Sequence, residues 1–185
     1  MKLGKIKGLI KKTGRAGLYT NPETGEQWVM AGEAYYPLGK MPYIEDIETL
    51  YYILDISDKE QEKIISNWGS LPALNFTDDG DERVLPGVRV SIALGDKELY
   101  PARTSLGLRF FDTAYMAPLS DMEGLIFTER ITESGIPYVA VKYGVILCGI
   151  IMPTTGMELD MHEELQILHS EMMQTVSLLA ERRQE

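Results

Sequence analysis

The sequence predicts an α+β fold in which helices pack on antiparallel sheet, and three observations carry that expectation. Residues 108–153 hold a short apolar helix pattern at 110–119 and then three strand-like runs, each rich in β-branched and aromatic residues and closed by turn residues. The first forty residues offer a similar order, a helix pattern followed by a hairpin. With 185 residues, 44% of them hydrophobic, the chain can bury a full core as one domain with additions.

Taken in order, residues 3–13 place Leu3, Ile6, Leu9 and Ile10 near one helical face with lysines elsewhere, although Gly4 and Gly8 each cost about 1 kcal/mol of helix stability. Strands at 15–20 and 26–38 follow, joined by Asn21-Pro22-Glu23-Thr24-Gly25, in which proline presets φ and glycine accepts a positive one. Gly32 interrupts the second run and marks a bulge or a further tight turn, so that run supplies one strand or two. From 42 to 68 the pattern turns helical, first over 44–56 and then from Ser57, where Ser57 and Glu60 form a capping box. This segment reads as a helical insertion. The acidic stretch 77–82 reads as a solvated turn in preference to a calcium loop, because it lacks the length and the distal glutamate of an EF-hand. A second hairpin runs out through 88–94, turns at Gly95-Asp96-Lys97-Glu98 and returns through Leu99-Tyr100. The last strands are expected at 124–131, 137–143 and 145–152. The domain boundary falls at 153, and residues 154–185 carry an amphipathic helix from about 158 to 183 whose Met161, Leu165, Leu168, Met172, Thr175 and Leu179 step by four and three. That seam suits packing on its own domain better than a coiled coil, with homo-oligomerisation through it as the alternative.

Charge is unevenly placed. Lys2, Lys5, Lys7, Lys11, Lys12 and Arg15 make residues 1–15 +6 with no acid, which leaves −16 on the rest of a chain whose net charge is −10. A basic face on an acidic body can hold a phosphate backbone at short range, since the field within a Debye length depends on nearby charges. The competing reading is a solvated terminus. The single Cys148 lies in an apolar run and reads as a buried thiol in a reducing compartment. With no signal-peptide pattern and no apolar run of about eighteen residues, the expected location is cytoplasmic, away from membranes.

Chemical signatures are missing. His162 and His169 stand seven apart, not at the four-residue spacing that lets two imidazoles share a metal. No glycine-rich phosphate loop and no nucleophile elbow appears, and the pairs Asp78-Asp79 and Glu163-Glu164 are adjacent and therefore splayed. The sequence therefore names no catalytic residue, no metal ligand and no cofactor.

The stretch Phe111-Asp112-Thr113-Ala114-Tyr115-Met116-Ala117-Pro118-Leu119, the stretch Gly135-Ile136-Pro137-Tyr138-Val139, and the ending Gly149-Ile150-Ile151-Met152-Pro153 resemble the last segment of bacterial sliding clamps, the beta subunit of DNA polymerase III. The likeness covers about forty-five residues, and extends to the N-terminal helix and hairpin by order of elements. It implies one clamp-like domain of two helix-plus-antiparallel-strand units, from a phage or mobile element, without catalysis of its own. It also implies that Lys5, Lys7, Lys11, Lys12 and Arg15 face the DNA backbone, and that Ile151, Met152 and Pro153 border a pocket for replication proteins. The chain departs from the family in having room for one domain where a clamp has three, in the 42–68 segment, and in the tail beyond Pro153. Two function classes follow: a DNA-associated, replication-linked binding protein, or a small adaptor with no DNA binding.

Overall fold

Helix α1 (Leu3–Thr13) forms because Ile6, Leu9 and Ile10 are buried along one side of it. Fully burying such a side chain is worth about 1.5–3 kcal/mol, which outweighs the two glycines at about 1 kcal/mol each. Gly14 ends the helix at φ 65°, its N–H donating to the Ile10 carbonyl at 2.8 Å, and the two basic residues of the last turn, Lys11 and Lys12, suit the negative end of the helix dipole. The computed structural model describes residues 2–39, 41–78, 82–86 and 90–154. All contacts discussed here lie within the compact unit Met1–Pro153.

After α1 the chain forms a meander of β1 (Arg15–Thr20), β2 (Gln27–Ala31) and β3 (Ala34–Pro37), so Gly32 does mark a tight turn between two strands. Gly32 sits at φ 65°, and a Cβ there would lie 2.6 Å from the Tyr115 hydroxyl and 2.7 Å from Thr13 Cγ2. Then come α2 (Ile47–Ile53), the short α3 (Asp58–Gln61), β4 (Ile65–Ser70), β5 (Arg83–Val84), β6 (Ile92–Leu94), β7 (Lys97–Thr104) and β8 (Gly107–Asp112). A 3-10 helix (Thr113–Leu119) leads into β9 (Leu125–Ile131), β10 (Pro137–Tyr143) and β11 (Ile146–Ile151). The fold is mixed α+β.

Among the described residues, eight strands form one sheet in the order β4-β1-β2-β3-β11-β10-β9-β5, and β6-β7-β8 form a second. The large sheet is two meanders joined where β3 and β11 run antiparallel, Tyr35 opposite Ile150 and Ala34 opposite Ile151. Exchanging β3 with β11, β2 with β10 and β1 with β9 maps one half of the strand order onto the other. An antiparallel central pair is the direction that a two-fold relation requires. Each half is preceded by a helix, and α1 packs against the 3-10 helix, with the Lys2 N–H donating to the Pro118 carbonyl at 2.9 Å.

The middle of the large sheet is buried on both faces. Val29, Val139, Val141 and Ile151 point into the main core with α1, α2, the 3-10 helix and the small sheet. Their neighbours Trp28, Tyr138, Ala140 and Ile150 form a second cluster under Leu71, Leu74 and Phe76. Trp28 meets Phe76 edge to face at 4.9 Å. Cys148 is buried, and burial pushes its thiol pKa up.

Several sequence expectations are corrected here. The helix expected over 110–119 starts three residues later, because Phe110 and Phe111 lie in β8 and pair with Pro101 and Tyr100 of β7. Asp112 caps the 3-10 helix that follows, accepting from the Ala114 N–H at 2.8 Å. The helical insertion is shorter than expected: α3 is one turn, its Ser57–Glu60 capping box is present, and residues 65–70 pair parallel with β1. The β-branched Ile64-Ile65 and the aromatic Trp68 favour that extended path, and pairing with β1 overrides the poor strand propensity of Asn67. The second hairpin has its turn at Gly95-Asp96 and gains a third strand, β8. Acids of the 77–82 stretch are not merely solvated, as described below. Residues 88–89 of that hairpin and the expected C-terminal helix, with its histidines, lie outside the described residues.

Replacing Gly32 by alanine is expected to cost about 2 kcal/mol or more, since a side chain there is both left-handed and in collision. Urea unfolding of Gly32→Ala against the parent measures it.

Candidate functional site

The five residues expected to meet phosphates sit on α1 and at the start of β1, and carboxylates of the same chain meet four of them. Lys7 Nζ lies 2.7 Å from Asp55, Lys11 Nζ lies 2.6 Å from Glu60, Lys12 Nζ stands 3.9 Å from Asp96, and Arg15 pairs with Glu33. Lys5 is exposed and has no acid partner among the described residues. Lys2 is paired as well, with Asp121 at 2.5 Å.

Local structure aims these acids. Asp55 takes φ 51°, a left-handed conformation that aspartate tolerates, at the turn that ends α2. The contact with Lys7 lowers its pKa. Glu60 is held by the capping box, its carboxylate accepting from the Ser57 N–H at 3.0 Å, and Lys11 together with Ser57 brings its pKa down to about 2. Exposed pairs of this kind each contribute little to stability, because solvent screens them. Their collective effect is on the field: the face that the sequence makes +6 is close to neutral in the fold.

At the C-terminal end of α1 a polar cavity of about 300 Å³ opens between the helix, the β2–β3 turn, the β6–β7 turn and the 3-10 helix. Lys12, Arg15 and Lys97 face Glu33, Asp96 and Asp112 across it. The Tyr115 hydroxyl accepts from the Glu33 N–H at 3.1 Å, and Asp112 is occupied as the cap of the 3-10 helix. Three cations against three carboxylates leave its described lining with no net charge to select an anion. Among the described residues no group of His, Cys, Asp and Glu is arranged to hold a metal, and no helix is long and apolar enough to cross a membrane.

Among the described residues, Ile151, Met152 and Pro153 pack into the fold and line no groove wide enough for a peptide. Ile151 is buried against a cavity of about 30 Å³ that it shares with Tyr100, Phe111 and Phe127, room for about one or two waters and not for a peptide side chain. Met152 packs on the Trp28–Tyr138 cluster and donates its N–H to the Glu33 carbonyl at 2.8 Å, and Pro153 is buried. All three serve the joint between the two halves of the sheet.

Two features escape sequence reasoning. The first is an ion cluster on the second face of the sheet. Arg130, 5% exposed, donates through Nε to Glu82 at 2.6 Å and through its two terminal nitrogens to the carbonyls of Asn75 and Thr77 at 2.6 and 2.8 Å. Lys142 lies 2.5 Å from Asp78 and 3.6 Å from Glu82. The cluster straps the segment that carries Phe76 over the sheet. Its acids and bases lie some fifty residues apart in the chain, beyond any spacing rule.

The second is the outer edge of β4. All six of its residues are exposed, Trp68 by 68% and Ile65 by 68%, and among the described residues no strand pairs with that edge. Beside Trp68 a groove of about 300 Å³ is lined by Leu18, Thr20, Tyr43, Ile44 and Glu45. Tyr43, 65% exposed, is its other aromatic wall. Trp68 is the one local signal of this surface in the sequence.

No protein family model, no curated protein and no solved structure matches the chain.

Two outcomes are expected from the charge network. Glu82→Gln leaves Arg130 and Lys142 buried with less than their share of negative charge, and is expected to cost about 3 kcal/mol or more in urea unfolding. The lowered pKa of Glu60 means that its contribution to stability is present above the ordinary glutamate range and is lost as pH falls toward 2. An NMR titration of its carboxyl carbon reads that value directly, and Lys11→Met is expected to move it upward.

Proposed function

We propose that this chain is a non-catalytic binding protein whose ligands are other proteins, built as a single clamp-like domain. The observation that carries the reading is the contrast between its two candidate surfaces. Of the basic residues on α1 and at the start of β1, Lys7, Lys11, Lys12 and Arg15 are met by Asp55, Glu60, Asp96 and Glu33, while among the described residues β4 presents an unpaired strand edge with an exposed tryptophan. Exposed apolar surface next to unsatisfied strand backbone is a usual recognition feature between proteins. The clamp-like description is supported by the paired helix-plus-three-strand halves, and the replication-linked class of partner comes with that resemblance.

A second reading, contact with the DNA backbone, is favoured by placement alone. Lys5, Lys11 and Lys12 are exposed on α1, and exposed ion pairs such as those of Lys11 and Lys12 yield to a phosphate when the new contacts are better. Such binding draws Lys11 away from Glu60, so it carries its own signature.

The two readings separate in a titration with duplex and single-stranded DNA at low salt, followed by fluorescence anisotropy and by the Glu60 carboxyl resonance. The expected result is no affinity beyond about 10⁻⁴ M, the weak end of non-specific binding, and an unmoved Glu60 pKa. Tighter binding that falls steeply with salt and vanishes on neutralising Lys5, Lys7, Lys11, Lys12 and Arg15 replaces the protein-ligand reading with the DNA one.

A further inference from the structure

We infer that the open edge of β4 receives an extended, positively charged peptide segment of another protein, which adds as a strand and lodges an apolar side chain between Tyr43 and Trp68. This rests on the protein-ligand reading above and deepens it by naming the chemistry of the ligand.

The backbone of β4 is set for such an addition. The Ile65 N–H donates to the Gly14 carbonyl at 2.8 Å, so residues 65, 67 and 69 turn their N–H and C=O groups toward β1. By the two-residue period of a strand, those of Ser66, Trp68 and Ser70 point outward, where among the described residues no strand meets them. An incoming strand satisfies these groups. The side chains explain where it anchors. Trp68 stands opposite Leu18 on the core-facing side of the sheet, so the apolar layer of the interior continues outward past the last strand and ends in the groove with Tyr43 and Ile44.

Charge selects the occupant. Between Arg15 and Lys59 the sequence holds eight acidic residues and a single base, Lys40, and of these acids Glu33 and Asp55 are already answered by Arg15 and Lys7, so the acids beside the groove decide. Glu45 lines the groove, Glu23 follows Pro22 at its rim, and Asp46 and Glu48 open α2 immediately beyond. No lysine or arginine lines it. A segment that alternates basic residues with aromatic or branched ones meets both the acidic rim and the apolar floor. A second copy of this chain fits less well: each copy carries −10, and a contact resting on one six-residue strand falls short of the roughly 1,600 Å² of a standard interface.

The chain carries its own reporter, because of its two tryptophans Trp28 is 1% exposed and Trp68 is 68% exposed. The experiment titrates the full chain with a six-residue peptide alternating lysine with valine and phenylalanine, and with its glutamate counterpart, while following tryptophan emission and acrylamide quenching. The lysine peptide is expected to shift emission to shorter wavelength and shield Trp68, at least about tenfold more tightly than the glutamate peptide, with the difference shrinking as salt rises. Ser66→Pro, which removes an outward N–H from an edge strand, is expected to abolish the shift with the circular dichroism spectrum unchanged. Glu45→Lys, an exposed substitution, is expected to narrow the preference between the peptides. Equal binding of both peptides overturns the charge selection and leaves the protein-ligand reading standing. If neither peptide binds and sedimentation shows a dimer that Ser66→Pro dissociates, the occupant is a second copy and the inference falls. No response from either peptide in a monomer overturns it too, and the DNA titration then decides separately whether the protein-ligand reading survives.

Discussion

Everything in the domain leans on the antiparallel contact between β3 and β11, two strands more than a hundred residues apart. Without it each half is a three-stranded meander with one apolar edge and one helix, too little to bury its own core. The contact is made tight by Gly149, where a Cβ would lie 3.3 Å from the Tyr35 carbonyl and 3.4 Å from Tyr36 Cδ1. Tyr36 then reaches across to donate its hydroxyl to the Tyr115 carbonyl at 2.6 Å, which seats the 3-10 helix of the second half on the first. Burial raises the pKa of that phenol well above its usual range, so it stays a donor under ordinary conditions. The run Ile151-Met152-Pro153 belongs to this joint, and its apolar character is accounted for by packing.

Electrostatics follow a consistent plan on this acidic chain. Cations near the surface are matched by acids that local structure holds in place, as the capping box holds Glu60 and the turn after α2 holds Asp55. Cations in the interior are matched more strictly. Arg130 and Lys142 lie on the second face of the sheet and are supplied with carboxylates and carbonyls by the segment above them. A local count of charge along the chain therefore misrepresents the field around it: the +6 start is answered by residues from 33 to 121.

Much of this was readable in one dimension, where the deciding interactions are local. The meander of residues 15–37, its turn at Gly32, the capping box at Ser57 and the strands after residue 124 depend on alternation and turn chemistry within a few residues. The elements that escaped depend on distant partners. Residues 65–70 are extended because β1 receives them, and Phe110-Phe111 are extended because β7 does, although both stretches continue helical-looking patterns. The site shows the same division. The basic residues were visible and their neutralisation was not, since Asp55, Glu60 and Asp96 reach α1 only through the fold. The groove at Trp68 was invisible because its walls come from three separate segments.

The two ends of the large sheet are unlike. Past β1 comes a six-residue parallel strand, while past β9 comes an antiparallel strand of two residues whose Arg83 is engaged by Glu129 at 3.1 Å. The approximate two-fold of the centre therefore stops short of the rims, and the domain has one welcoming margin and one blunted margin. Among the described residues, a polypeptide that zips onto the first finds no equivalent ledge on the far side from which a chain of such unions could propagate. Should a strand add at β4, this asymmetry would limit the assembly to a single guest.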